Sequence, residues 1–161
     1  EKTKSVKRVT KPNDLSIWDR ENKKWKVDNT LMNERKKQLK DKLLQDLAEA
    51  KSNYLNQTIE IEKAGKKYTF ENNEKNRNRL SLKISLMWVL EQDKIEKIKA
   101  QNDKGLVEFV ELNKAELKVL AEKIQNIIEV ADMAEQTAVT GLERYSIEQL
   151  MSLDVNDFFK N

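Results

Sequence analysis

Between residues 117 and 138, Leu117, Leu120, Ile124, Ile127, Ala131, Ala134 and Ala138 recur at intervals of 3-4-3-4-3-4. A helix of about 3.6 residues per turn places all of them on one face, and no strand does. The chain must therefore bury one side of a long helix. Small side chains at the late positions let a neighbouring helix approach closely. Asn113 and Glu116 stand at capping-box spacing before the run, with Asn in place of the usual Ser or Thr. Gly141 is expected to end or loosen the helix. Two uses of the stripe stay open: packing on other helices of the same chain, or a symmetric seam between copies. For either use the candidate residues are Leu117, Leu120, Ile124, Ile127, Ala131 and Ala134.

Two more helices are legible upstream. Met32, Leu39, Leu43, Leu47, Ala50 and Tyr54 are separated by 7, 4, 4, 3 and 4, one stripe on a helix capped by Asn29 or Thr30 and running to about residue 53. Asn72 or Asn73 is expected to cap a second helix over about 74–92. Its apolar centre (Leu80, Leu82, Ile84, Leu86, Met87, Trp88, Val89, Leu90) touches several faces, which predicts the central core helix. Ser146 and Gln149 repeat the capping-box pattern and open a short last helix over 147–153.

Short alternating segments lie between the helices. Thr58–Glu62 and Lys67–Phe70 alternate with period two around Ala64-Gly65, the clearest hairpin in the chain, with Gly65 free to take positive φ. Ile95 and Ile98, a polar turn over 101–105, and Leu106–Leu112 make a second. Trp18 and Trp25 flank a polar turn in a third; lone two-stranded hairpins are marginal, so both tryptophans are expected to pack, and they are candidate partner contacts.

Composition agrees. Charged residues reach 37% and hydrophobic ones only 38%, against roughly 25% and 45–50% in ordinary globular chains. Three Gly and one Pro leave little for a turn-rich β fold. The expected fold is α+β and predominantly helical, with three main helices, a short C-terminal helix and two or three short hairpins. Residues 1–15 are expected to form a basic flexible arm, 16–57 the Trp hairpin and long amphipathic helix, and 58–161 a compact hairpin-helix-hairpin-helix domain.

The chain has no Cys and no His, which excludes Ser-His-Asp and Cys-His nucleophiles, redox dithiols and Cys/His zinc sites. No apolar run approaches the ~18–20 residues of a membrane span, and no signal peptide is visible. A start at Glu1 rather than Met is expected of part of a longer protein or of a trimmed chain. Lys2, Lys4, Lys7, Arg8 and Lys11 form a basic cluster that, with Trp18 and Trp25, is the alternative, nucleic-acid-binding reading. A net charge of +3 and interleaved Asp14, Asp19, Glu21 and Asp28 weaken its field. Glu60 with Glu62, and Glu108 with Glu111, are carboxylate pairs read as solvated strand faces. Gly65-Lys66-Lys67 lacks the earlier Gly and the following Ser or Thr of a phosphate loop. No catalytic residue, metal or cofactor is expected.

Taken together, Gly65-Lys66-Lys67-Tyr68-Thr69-Phe70, Asn76-Arg77-Asn78-Arg79-Leu80, Val110-Glu111-Leu112-Asn113-Lys114-Ala115-Glu116-Leu117 and Ser146-Ile147-Glu148-Gln149-Leu150-Met151-Ser152-Leu153-Asp154 have a particular order and spacing. The stretch from Tyr68 onward resembles an uncharacterised domain found in bacteriophage tail, tail-fibre and tail-fibre-assembly proteins. Trp18…Trp25-Lys26-Val27-Asp28 with a charged helix after it is similar to the segment preceding that domain. Ile98 and Ala100 stand where the family often carries an aromatic residue. The resemblance implies a non-enzymatic structural or assembly role, with tail proteins or a tail fibre as partners and a virion tail or host bacterial cytoplasm as location. For the seam between copies it implies a trimer.

Overall fold

Asp28 marks the point where a hairpin gives way to a helix. Its carboxylate accepts hydrogen bonds from the backbone N–H groups of Thr30 (2.9 Å) and Leu31 (3.3 Å), satisfying donors that a helix start leaves without partners. The cap is thus one residue before Asn29, because Asp28 is already extended and Asn29 already helical. The computed structural model describes residues 10–89 and 95–160. Lys2, Lys4, Lys7 and Arg8 of the expected arm, and the expected end of the second helix at 90–92, lie outside the described residues.

Within them the order is β1 (Ser16–Asp19), β2 (Lys24–Val27), α1 (Asn29–Leu55), β3 (Thr58–Lys63), β4 (Lys66–Glu71), α2 (Glu74–Val89), β5 (Glu96–Asn102), β6 (Val107–Leu112), α3 (Lys114–Arg144), α4 (Ile147–Ser152) and a 3-10 turn (Val155–Phe159). The fold is α+β. β1 and β2 pair alone, while β3-β4-β5-β6 form one antiparallel sheet in chain order.

Ala64 and Gly65 join β3 to β4 with φ of 53° and 75°, a two-residue turn in which both residues are left-handed. Gly65 meets that demand freely and Ala64 does not. β4 and β5 pair only at Tyr68–Asn102 and Thr69–Gln101, then part. α2 supplies donors to both strands beyond that point: Asn76 Nδ2 to the Glu71 carbonyl and Lys83 Nζ to the Lys97 carbonyl, each 2.9 Å.

Two apolar clusters are strung along α3. Leu117, Leu120 and Ile124 join the sheet (Ile59, Phe70, Ile98, Ala100, Val110, Leu112) and Leu80 and Met87 of α2. Ala131, Ala134, Ala138 and Leu142 join Leu43, Leu47 and Ala50 of α1, with Leu150, Val155 and Phe159 from the C-terminal elements. The central core helix is therefore α3 and not α2, since α3 alone contributes to both clusters. The second cluster takes residues from both sides of position 57, so α1 shares a core with the segment after it. Lys40–Glu143 (2.8 Å), Lys51–Asp132 (2.7 Å) and Lys51–Glu135 (2.6 Å) fix α1 antiparallel to α3.

Gly141 does not end the helix, which continues to Arg144. A Cβ there would stand 3.0 Å from the Tyr145 hydroxyl, so the glycine lets that ring fold back on the helix. Asn73 caps α2, accepting from Asn76 N–H at 2.9 Å. Asn72 instead is fully buried, and its Nδ2 donates to the Leu55 carbonyl at the end of α1 (2.8 Å). Arg77 Nη1 donates to the same carbonyl and to that of Asn72, placing a cation at the negative end of the helix.

Ala64→Gly is expected to raise stability by about 1 kcal/mol by removing left-handed strain. Ala131→Leu, at a position with no solvent exposure, is expected to lower it by about 1–3 kcal/mol by overpacking the α1–α3 contact. Urea unfolding followed by circular dichroism measures both.

Candidate functional site

The stripe that announces α3 is used inside the molecule. Leu117, Leu120, Ile124, Ala131 and Ala134 are buried in the two clusters, and Ile127 is partly buried against the first. These side chains are occupied by the chain's own sheet, α1 and α2. Any surface for a partner has to come from elsewhere.

α2 supplies one. Its apolar residues fall on two stripes rather than one. Leu80, Ile84 and Met87 (spacing 4 and 3) face the sheet and α3. Leu82, Leu86 and Val89 (spacing 4 and 3) lie on another face, because two residues along a helix is a rotation of about 200°. That second stripe is 62, 51 and 78% exposed, and Trp88 beside it is 56% exposed. A helix apolar on several faces is ordinarily enclosed. Here only one stripe is covered by the described residues.

Grooves flank this ridge. One, of about 300 Å³ between α2 and α3, is lined by Ile84, Met87, Trp88, Lys114, Leu117 and Lys118 among others. Lys114 Nζ lies 4.6 Å from the centroid of the Trp88 ring, a cation–π contact that fixes the ring at the groove edge. The other, of about 380 Å³, opens where β4 and β5 part. It combines Phe70, Leu80, Leu82, Ile98 and Phe109 with Arg79, Lys83, Lys97 and Lys99. Lys83 is paired with Glu96 at 2.7 Å and Lys97 with Glu111 at 3.2 Å. Apolar anchors with a basic rim suit a protein segment carrying apolar and acidic side chains.

Trp18 and Trp25, directly opposite in β1 and β2, pack edge to face with centroids 5.4 Å apart and planes at 72°. Trp18 is on the exposed side and Trp25 is half-buried. Neither belongs to the two core clusters. The turn between them is organised by Asp19, whose carboxylate accepts from Glu21 N–H, Asn22 N–H and Asn22 Nδ2 at 3.0–3.1 Å. Those bonds, aided by Lys26, hold its pKa down at about 2.

The carboxylate pairs are not brought to a common cleft. Glu60 and Glu62 lie exposed on one strand, with Lys67 3.9 Å from Glu60. Glu108 accepts from Asn102 Nδ2 while Glu111 pairs with Lys97, on opposite faces of β6. Among the described residues no three acidic side chains cluster to hold a metal ion, and no helix is long and apolar enough to cross a membrane. Comparison of the chain with protein families, with curated proteins and with solved structures gives no match.

The Asp19 turn gives the Trp hairpin a pH signature. With a folded-state pKa of about 2 against an ordinary 3.8, its contribution is complete above 3.8 and is lost as pH falls toward 2. Near-ultraviolet circular dichroism of the Trp pair is expected to fade over that window. Asp19→Asn is expected to remove this dependence.

Proposed function

We propose that the chain is a non-enzymatic structural or assembly component of a bacteriophage or phage-like tail, acting through protein–protein contacts at a tail fibre or its attachment site. The observation that carries a docking role is the second apolar stripe of α2, with Trp88 at its edge and a groove on either side. Exposed apolar ridges rimmed by charge are what protein partners cover, with aromatic side chains as anchors. The tail assignment is supported by the resemblance carried by Gly65–Phe70, Asn76–Leu80, Val110–Leu117 and Ser146–Asp154.

In this reading the molecule is a predominantly helical platform. α1 and α3 form its rigid body, and the four-stranded sheet holds α2 so that its outer stripe faces the partner. The Trp18–Trp25 hairpin is a second contact. The partners are other tail proteins, in the virion or in the host bacterial cytoplasm during assembly.

Titration of the chain with tail and tail-fibre proteins purified from the same virion tests this. One of them is expected to bind at about micromolar Kd or tighter. Leu86→Ser and Trp88→Ser are each expected to weaken that binding about tenfold or more without changing the circular dichroism spectrum. Absence of the chain from virions and from tail-assembly intermediates would overturn the reading. So would tight, salt-sensitive oligonucleotide binding with no affinity for tail proteins.

A further inference from the structure

We propose that the gap where β4 and β5 part binds an extended acidic segment of a partner protein. Its carboxylates are held by Arg79 and Lys99, and its apolar side chains are seated against Leu82 and Phe109. The inference rests on the docking role proposed above and names what the partner presents to this groove; it does not require that partner to be a tail protein.

The groove of about 380 Å³ at the gap adjoins a second hollow of about 270 Å³ between the start of α2 and β5. Asn76, Arg79 and Lys99 line both, so the two make one trough. Its ends differ in chemistry. One end carries Phe70, Leu80, Leu82, Ile98 and Phe109. The other is mostly polar, with Thr69, Asn73, Lys75 and Gln101.

The cations of the trough are only partly answered from within the chain. Lys83 is paired with Glu96 and Lys97 with Glu111. Lys75, Arg79 and Lys99 form no ion pair among the described residues. Elsewhere, lysines that reach another element meet a carboxylate, as Lys40, Lys51 and Lys63 do. Glu71, the carboxylate that lines the polar end, accepts from Gln101 Nε2 at 3.3 Å. The trough is therefore a local excess of positive charge on a chain whose net charge is only +3. Its complement is acidic.

The two walls give the ligand its second half. On the sheet, Lys99 lies directly opposite Phe109, which is 67% exposed, across a strand spacing of about 4.8 Å. On α2, Arg79 and Leu82 are three positions apart, neighbours on the helix surface separated by a rise of about 4.5 Å. Both walls thus step from a cation to an exposed apolar side chain over a similar distance. A carboxylate with an apolar side chain one or two residues away spans that step in an extended segment. A small inorganic anion would satisfy the cations and leave Leu82 and Phe109 in water.

Nitrogen-15 NMR titration of the whole chain is the test. The probe is a blocked peptide of about eight residues, with leucine and aspartate alternating at its centre and serine and glycine at its ends. Saturable binding with a Kd of about 0.1–1 mM is expected, with the shifts centred on Arg79, Lys99, Phe109 and the Asn76 side-chain amide. Counterparts with asparagine for aspartate, or serine for leucine, are each expected to bind about tenfold more weakly. Arg79→Glu and, separately, Lys99→Glu are expected to weaken the aspartate peptide about tenfold or more, with circular dichroism unchanged. Lys118→Glu makes the same change of charge in the other groove and is expected to alter the affinity by less than about twofold. Leu86→Ser and Trp88→Ser, which test docking on the α2 ridge, are expected to leave peptide binding unchanged, so the two readings fail separately. Four results would each overturn the proposal: no saturable binding at millimolar peptide, equal binding of the asparagine counterpart, a loss at Lys118→Glu as large as at Lys99→Glu, or tighter binding of inorganic phosphate or a short oligothymidine than of the peptide.

Discussion

Everything in this molecule is arranged around the single face of α3, which serves two different cores in succession. Its first turns present Leu117, Leu120 and Ile124 to the sheet, where bulky side chains fill the space over a pleated surface. Its later turns present Ala131, Ala134 and Ala138 to α1, where small side chains allow a helix to approach closely. The change from large to small along one stripe is a change of partner. Because the same helix crosses both clusters, neither can loosen without exposing part of the other, which ties the sheet and the helical pair into one structure.

Charge in this structure orients more than it stabilises. Exposed ion pairs contribute little each, yet Lys40 and Lys51 on α1 reach Glu143, Asp132 and Glu135 on α3 in reversed order, which selects the antiparallel register of two largely polar helices. Lys51, bonded to Asp132 and Glu135, has its pKa raised further above the ordinary lysine value. Lys63 spans from the sheet to Glu116 at the start of α3, 2.6 Å away; with the Asn113 cap it holds that carboxylate below its usual pKa. A carboxylate at a helix start is favoured in any case by the helix dipole. The same residue thus closes the capping box and fastens the sheet to the helix.

The parting of β4 from β5 has a consequence for the surface. A sheet that stayed paired would leave α2 lying on it like any covering helix. Because the strands separate after two residue pairs, α2 supplies Asn76 and Lys83 to the carbonyls of the gap. The basic, aromatic groove beside the exposed ridge opens at that irregularity.

Periodicity alone determined the hairpins, α1, α3 and the two capping boxes, since each depends on residues close in sequence whose spacing matches a helix or strand. Gly65 at the turn and Asn113 with Glu116 at the helix start were legible for the same reason. The burial of α2 was not. Two apolar stripes on one helix look the same in sequence whether both are covered or only one, and the answer depends on where distant β5 and β6 come to lie. Nor could spacing reveal that Arg77 and Asn72 close the end of α1, that Gly141 makes room for Tyr145 within a continuing helix, or that Val155 and Phe159 fold back into the second core. Those contacts join segments far apart along the chain or depend on local backbone geometry. Local chemistry chose the elements, and only three-dimensional packing decided which of their faces would meet water.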